Sequence, residues 1–442
     1  MHTSSSPIAI VGGGIAGLTA ARVLHQADIP FVLYEAGPNL AGMAQTFKDE
    51  DGFSYDFGTH LITNRLAAAI GIADQCREVR YFGESIWLQG QTYRYPFGLM
   101  RVPRYALSAL RARFTSRDER PPNSAADWFR ATLGTALADE VAIPLVEAMM
   151  GVPATDLAPA VGDKLPSVLR TVMLRLAGQL TGRAVAIGYC RELPESPKVW
   201  HAYPLGGIGT LCAHLADGLE THIQVLSRVE KIFVESERVV GIQINGEMRP
   251  ASAVMSTIPV NLLAKIIEGS DTLHPLKQFA YRPMLFVNLR LEGRNLLPNV
   301  VLWTPEAESV FFRLQEAPIS IPWLAPNNKT LITADIGCRV GDTLWNMPDD
   351  ALGERCVEHL QPLIPDVRQR YLGCRVLRTP IAYPVLLNAY EHNRQRLEQS
   401  TDIDGLYSIG RNGEFAHILM EDIYHRTVKK TRHMVDLLYV AT

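Results

Sequence analysis

The chain has 442 residues, length enough for two or three domains. Its 43 Lys plus Arg against 46 Asp plus Glu leave a formal net charge of −3, which argues against nucleic acid as a partner. A composition 47% apolar and only 20% charged excludes disorder on a large scale and predicts a sizeable core. The six cysteines (Cys76, Cys190, Cys212, Cys338, Cys356, Cys374) form no CxxC pair and no Cys/His cluster. That scatter predicts reduced structural thiols in a cytoplasmic protein, with no metal site. MHTSSSP at the start lacks the charged n-region of a signal peptide, and no run of about 18 apolar residues predicts a spanning helix.

In chain order, PIAIV (7–11) reads as a short buried strand and GGGIAG follows at once. LTAARVLHQAD then carries a 3.6-residue apolar period, with Leu18, Ala21 and Leu24 on one helix face. FVLYE (31–35) is a second strand and ends in an acid. Strand, glycine turn, helix, strand and acid within about thirty residues is the context that gives GxGxxG its meaning. Gly12 permits the tight turn, Gly14 lets a pyrophosphate approach the backbone, and Gly17 lets the helix pack closely on the strand. Ile15 and Ala16 open the helix, whose N-terminus favours phosphate charge. Glu35, followed by Ala36, is placed to accept ribose hydroxyls. A ligand-free glycine turn is the bland alternative; the complete context favours a dinucleotide, NAD(P) or FAD.

AGPNLAGMAQTF (36–47) decides between them. It resembles the FAD family that includes amine oxidases, protoporphyrinogen oxidases, phytoene desaturases and UDP-galactopyranose mutases. Those proteins follow the ribose-binding Glu with Gly-Gly-x-[Ala/Ser] beside the flavin. Here the segment is Ala41-Gly42-Met43-Ala44, with alanine in place of the first glycine. FSYDFGTH (53–60) resembles the family's Asp-x-Gly-x-His loop, which implies that Gly58, Thr59 and His60 lie at the flavin. The bland reading of His60 is a hydrogen-bonded residue that shapes the loop.

WLQGQTYRYPF (87–97) predicts two strands around a Gly90-Gln91 turn. RVPRYALSALRARFTSRDER (101–120) predicts a partly apolar helix carrying Arg101, Arg104, Arg111, Arg113 and Arg117. A solvated face ranks first, ahead of a funnel for anionic substrate and a membrane-surface helix. KVWHAYPLGGIGTLCAHL (198–215) resembles the family's Tyr/Phe-Pro-x-Gly-Gly segment through Tyr203, Pro204, Gly206 and Gly207. RVEKIFVESERVVGIQING (228–246) predicts a hairpin, and the resemblance puts the Val229 backbone against the adenine. AVMSTIPVNLLAKII (253–267) resembles the strand that returns to the cofactor, ending in Ser256, Thr257 and Pro259. Strand-like runs then dominate to residue 394, and Arg282, Arg313, Arg339, Tyr383 and Tyr390 are the polar residues to follow. Arg313, in SVFFRLQE, resembles a substrate-facing strand residue of sugar-acting members. GLYSIGRNGEFAHILMEDIYHRTVKK (405–430) resembles the last FAD segment. There Gly410 and Arg411 cross the diphosphate, and Met420 and Glu421 meet the flavin at a helix start. No cysteine lies in that segment, so the expected cofactor is non-covalent FAD.

The resemblance implies an α/β fold: a Rossmann-like FAD-binding domain of the glutathione reductase type, interleaved with a mixed α+β substrate domain. Residues 1–80, 190–270 and 395–442 would form the first, and 81–189 and 271–394 the second, with the active site between. Its leading implication is an oxidoreductase moving a hydride from a small-molecule substrate to flavin N5, with His60, Arg411 and Arg313 as catalytic candidates. Lys277 and Lys329 are the nearest lysines to the one amine oxidases place at N5, and neither sits in a matching motif. The alternative is a redox-neutral, reduced-flavin mutase of nucleotide sugars or a related enzyme of polysaccharide biosynthesis, in which the arginines would clamp a diphosphate. Against it, two tyrosines of the mutase pattern are Phe415 and His417 here. A flavin carrier without turnover is the third reading. The expected partner is a small molecule, anionic or a nucleotide sugar, with membrane contact not favoured and the oligomeric state open.

Overall fold

A computed structural model describes residues 6–58, 60–115, 121–164 and 168–440. Five strands, all but the short edge strand mostly buried, build a wholly parallel sheet in the order Ile223–Gln224, Phe31–Tyr34, Ile8–Val11, Ala253–Ser256 and Leu406–Ser408. Numbered along the chain this is 3-2-1-4-5, the doubly wound order, whose direction reverses beside Ile8–Val11. A parallel sheet needs cover on both faces, and its strands accordingly read as continuous apolar runs. The helix Ile15–Gln26 supplies part of that cover, burying Leu18, Ala21 and Leu24 completely. It packs against the last helix, Met420–Val440. Close approach depends on Gly17, where a Cβ would stand 1.9 Å from the Gly12 carbonyl oxygen.

The hairpin Val229–Glu235/Arg238–Ile244 turns through Ser236 and Glu237, both at positive φ, and leads a four-stranded sheet. The second large sheet has seven strands, drawn from Glu84–Leu88 and Gln91–Arg94 and from five strands between Tyr281 and Pro384. Gln89 and Gly90, both at positive φ, make the tight turn of its first hairpin. Between these two parts of the sequence run helices, including Ala125–Leu133, a π turn at Ala138–Ala142, and Ile143–Met150. They pack partly against the five-stranded sheet's neighbourhood, sharing a core with Val229, Val260 and Leu263. The six cysteines all carry free thiols. Among the described residues no helix is long and apolar enough to cross a membrane, and no His/Cys/Asp/Glu group is arranged to hold a metal.

Candidate functional site

A cavity of about 1240 Å³ opens at the carboxyl ends of the parallel strands, where the strand order reverses. In open α/β sheets that crevice is where ligands bind. Val11, Gly12, Gly14, Ile15 and Ala16 line it from the first turn, and Glu35 and Ala36 from the end of the second strand. Gly42, Met43, Ala44, Gly58, His60, Val229, Gly410, Arg411 and Met420 complete that side. Residues from five separate stretches of sequence thus face one space.

The cradle can be tested for FAD on its own geometry. Gly12 has φ +104°, a conformation suited to glycine, and Gly14 is the N-cap of the first helix. A Cβ on Gly14 would meet nothing within 4 Å, so its missing side chain leaves the cavity open beside free helix N–H groups. The Glu35 carboxylate accepts from Gly13 N (2.8 Å) and Gly37 N (2.7 Å), fixing both oxygens while it lines the cavity. Lone pairs remain for ribose hydroxyls. These residues fit a dinucleotide.

Ala41 has φ 82° and ψ −12°. The replacement of glycine there therefore concerns backbone strain as well as space, because an L residue in the left-handed region costs about 1–2 kcal/mol. Two expected cofactor residues do not line the cavity. Gly17 serves the helix–strand contact, and Glu421 is buried with its carboxylate on Thr63 Oγ1 (2.9 Å) and Arg65 Nε (2.5 Å). Thr59 and Arg117 lie outside the described residues.

At the other end of the cradle His60, Arg313 and Arg411 share the cavity with Tyr189, Tyr383 and His417. His60 Nδ1 is buried without a partner. Burial, reinforced by the charges of Arg411 and Arg313, lowers its pKa to about 4, so the ring is neutral at pH 7. Arg313 donates through Nε to Asp335 Oδ2 (2.8 Å), with a second bond from Nη2, and stacks 5.2 Å from the centre of Trp303. Burial pulls its pKa down, and Asp335 with Tyr383 more than reverses that. Arg411 differs. It gives Nη2 to the Ala382 carbonyl (2.9 Å) and lies over the Tyr383 ring, while its Nε is buried and unpartnered. Among the described residues no carboxylate forms an ion pair with it, and burial together with Arg313 lowers its pKa. A desolvated cation facing a cavity is held at a cost that an anion can relieve.

The wall that the helical segment supplies is apolar. Leu99, Phe129, Leu133, Val141, Leu145 and Met149 reach it from the helical segment. Val141 belongs to the π turn, a distortion that often marks functional sites. AADWFRATL forms the helix Ala125–Leu133, and nothing local in the sequence shows that Phe129 and Leu133 on it border a cavity. Glu84 also lines the space and is taken by Arg175 Nη2 at 3.2 Å. Of the other residues followed from the sequence, Arg282 bonds the Cys338 carbonyl and Tyr390 stacks on Phe279. Arg339 is on an exposed turn, where its N–H bonds Asp342. Lys277 and Lys329 are outside the lining, which contains no lysine among the described residues.

Sequence reading did not find the tie that holds the FSYDFGTH loop. Buried Asp56 accepts from Tyr203 Oη (2.6 Å) and Thr46 Oγ1 (2.8 Å), joining the loop to the strand His201–Pro204. Burial raises the Asp56 pKa to about 7, against the lowering effect of both bonds.

No curated protein matches the chain. Solved structures resemble it along nearly its whole length. One is reduced UDP-galactopyranose mutase, with TM-score 0.80, 19% identity, and coverage of 98% of this chain and 96% of that one. A candidate protoporphyrinogen oxidase from Exiguobacterium sp. 255-15 has TM-score 0.75 and 17% identity, covering 98% and 99%. Putrescine oxidase bound to putrescine has TM-score 0.66 and 14% identity, also covering 98% and 99%. At such identities the likeness shows the fold. A family profile described as flavin containing amine oxidoreductase matches residues 15–412. The chain belongs to that family of flavin-dependent enzymes.

Proposed function

We propose that the protein is an oxidoreductase that holds FAD non-covalently and oxidises a C–H bond of a small substrate with an anionic end and an apolar body. Bound FAD would supply the two-electron acceptor for hydride, to be reoxidised by oxygen or another acceptor. The observation that carries this reading is how the cavity divides. Beside neutral His60 stands Arg411, a buried cation with no ion pair among the described residues, while the wall from Leu99 to Met149 is apolar.

Arg411 binds the anionic end and fixes which carbon faces the flavin. His60 offers one uncommitted nitrogen to the same end, as a hydrogen-bond partner rather than a proton store, because its ring stays neutral above about pH 4. The apolar wall excludes water and orients the body of the substrate. An amine cation is disfavoured, since Glu84, which lines the cavity, is already paired with Arg175.

The redox-neutral mutase remains the second reading. Arg313 and Arg411 at one end of the cavity suit a diphosphate, and the apolar wall offers little to the hydroxyls of a sugar. Phe415 does not line the cavity; it is buried against Phe279 and Tyr390. Anaerobic spectroscopy separates the readings. Bleaching of oxidised enzyme by apolar carboxylates or phosphates, weakened about 30-fold or more by Arg411→Met, is the expected result for loss of a buried charge contact of about 2 kcal/mol. Turnover of a nucleotide sugar by dithionite-reduced enzyme alone would overturn it.

A further inference from the structure

Arg282, in the strand Tyr281–Glu292, stands where the cationic end of the cavity and its apolar wall are joined. It pairs opposite Tyr383, and the ladder then slips, so that Met284 pairs with Thr379 and Pro380, Ile381 and Ala382 bulge from the partner strand. Bulges re-aim the chain, and here Ile381, Ala382 and Tyr383 line the cavity. The Ala382 carbonyl is the one that accepts from Arg411 Nη2 (2.9 Å). The Arg282 guanidinium reaches two other carbonyls. Nη1 donates to Cys338 O (2.8 Å), just past the strand Lys329–Gly337, and Nη2 to Ala148 O (3.4 Å). Ala148 belongs to Ile143–Met150, the helix whose Leu145, Val146 and Met149 line the cavity.

Two glycines make room for this tie. Gly151 caps the helix at φ +74°, and a Cβ there would stand 2.3 Å from Arg282 Nη1. A Cβ on Gly337 would stand 2.4 Å from Nη2. The guanidinium is thus flanked by backbone from two different elements, at the carbonyl end of a helix, where a cation is favoured. In other respects the site is a poor one for a charge. Among the described residues Arg282 has no ion pair, its Nε is buried without a partner, and burial lowers its pKa. A cation held this way is costly, so what it supplies is position rather than stability.

We propose that Arg282 is a positioning residue for the apolar body of the substrate. It fixes the end of Ile143–Met150 against the strand segment that anchors Arg411. That sets the span between the cationic end and the apolar wall, and so selects the length of apolar body that fits. Leu145 and Met149 pack on the cluster that holds Met284, Phe286 and Ala382, so a shift of the helix end reaches the wall directly. Arg282 does not itself line the cavity and acts through the helix. The inference rests on the reading of the cavity as a site for an anion with an apolar body.

The test uses full-length, FAD-loaded protein titrated with straight-chain carboxylates from butanoate to dodecanoate, with binding read from the flavin absorption spectrum. Wild type should gain about 3- to 4-fold in affinity for each methylene the wall buries, until the wall is filled. In Arg282→Met the gain should fall below ~2-fold per methylene. Butanoate, held mainly at Arg411, should bind the variant within ~2-fold of wild type, because that contact is independent of the wall. Hydrogen exchange reads the same tie without a ligand. Amides at 148–151 should exchange at least ~10-fold faster in Arg282→Met, and those at 285–291 at the wild-type rate. Gly337→Ala pushes the guanidinium from the other side; it should reproduce both changes and replaces Arg282→Met should that variant misfold. Unchanged chain-length dependence in a folded variant, or unchanged exchange at 148–151, would overturn the proposal. So would an equal loss at every chain length, which would leave Arg282 a brace of the fold. Wild type that binds no carboxylate of any length would refute the reading of the cavity, and exchange then decides for or against Arg282 alone.

Discussion

Gly14 and Gly17 separate the space a ligand needs from the space the fold needs. A Cβ on Gly17 would lie 1.9 Å from the Gly12 oxygen, so helix and strand must part by more than an ångström. Overpacking of that kind against backbone should cost at least ~3 kcal/mol in Gly17→Ala. Gly14 has φ −80° and open space around its missing Cβ. In Gly14→Ala the weaker N-cap costs about 0.5–1 kcal/mol, and the stiffer unfolded chain returns a similar amount. The apo variant should then melt within about 1 kcal/mol of wild type in urea. Its methyl group would nonetheless occupy the diphosphate approach. Losing one charge-assisted bond of about 1.5–3 kcal/mol there weakens FAD by about 10- to 100-fold, measured by quenching of free FAD fluorescence. Gly14→Asp adds a carboxylate to the same space and should abolish binding. A Gly14→Ala protein that binds FAD like wild type, or a Gly17→Ala protein as stable as wild type, would refute this assignment of roles.

Glu35→Gln should destabilise the apo protein by about 1.5–3 kcal/mol and weaken FAD as well, because one amide oxygen cannot accept from both Gly13 N and Gly37 N; urea titration and flavin binding check both effects. Asp56 gives a pH signature. Its folded pKa of about 7 stands above the ordinary 3.8, so the folded state keeps a proton that the unfolded state has lost. Stability from this group is full below about pH 4 and declines as pH rises through about 7. Asp56→Asn should fold and flatten the urea midpoint across that window; a wild-type midpoint that rises over the same window would contradict it. Residues 1–189 or 190–442 expressed alone should fail to fold, since the parallel sheet takes strands from both, and a cooperative melt of either piece would argue otherwise.

Much of the cradle was legible because its chemistry is local. Glycine spacing, the following helix period and Glu35 all fall within one turn-and-strand unit, and the parallel sheet follows from short apolar runs separated by helical ones. Side-chain direction was less accessible. Met420 and Glu421 are neighbours, yet one faces the cavity and the other pairs with Arg65 inside the core. Arg313 and Arg411 look alike in sequence and differ in what matters: a carboxylate from an adjacent strand neutralises only the first. Ala41 reads as a small change in volume, whereas its φ makes it a backbone question. The apolar wall and the exposed Leu107, Leu110 and Phe114 of Pro103–Thr115 share one kind of helical pattern, and only packing tells an inner face from an outer one.

The cradle's occupancy is the point on which the rest depends. The visible absorption spectrum of the purified protein, recorded before and after acid precipitation, measures it directly. A flavin spectrum whose chromophore passes wholly into the acid supernatant as FAD, at one per chain, is the predicted result. Protein that remains colourless after incubation with excess FAD, or a chromophore that stays with the precipitate, would contradict the account.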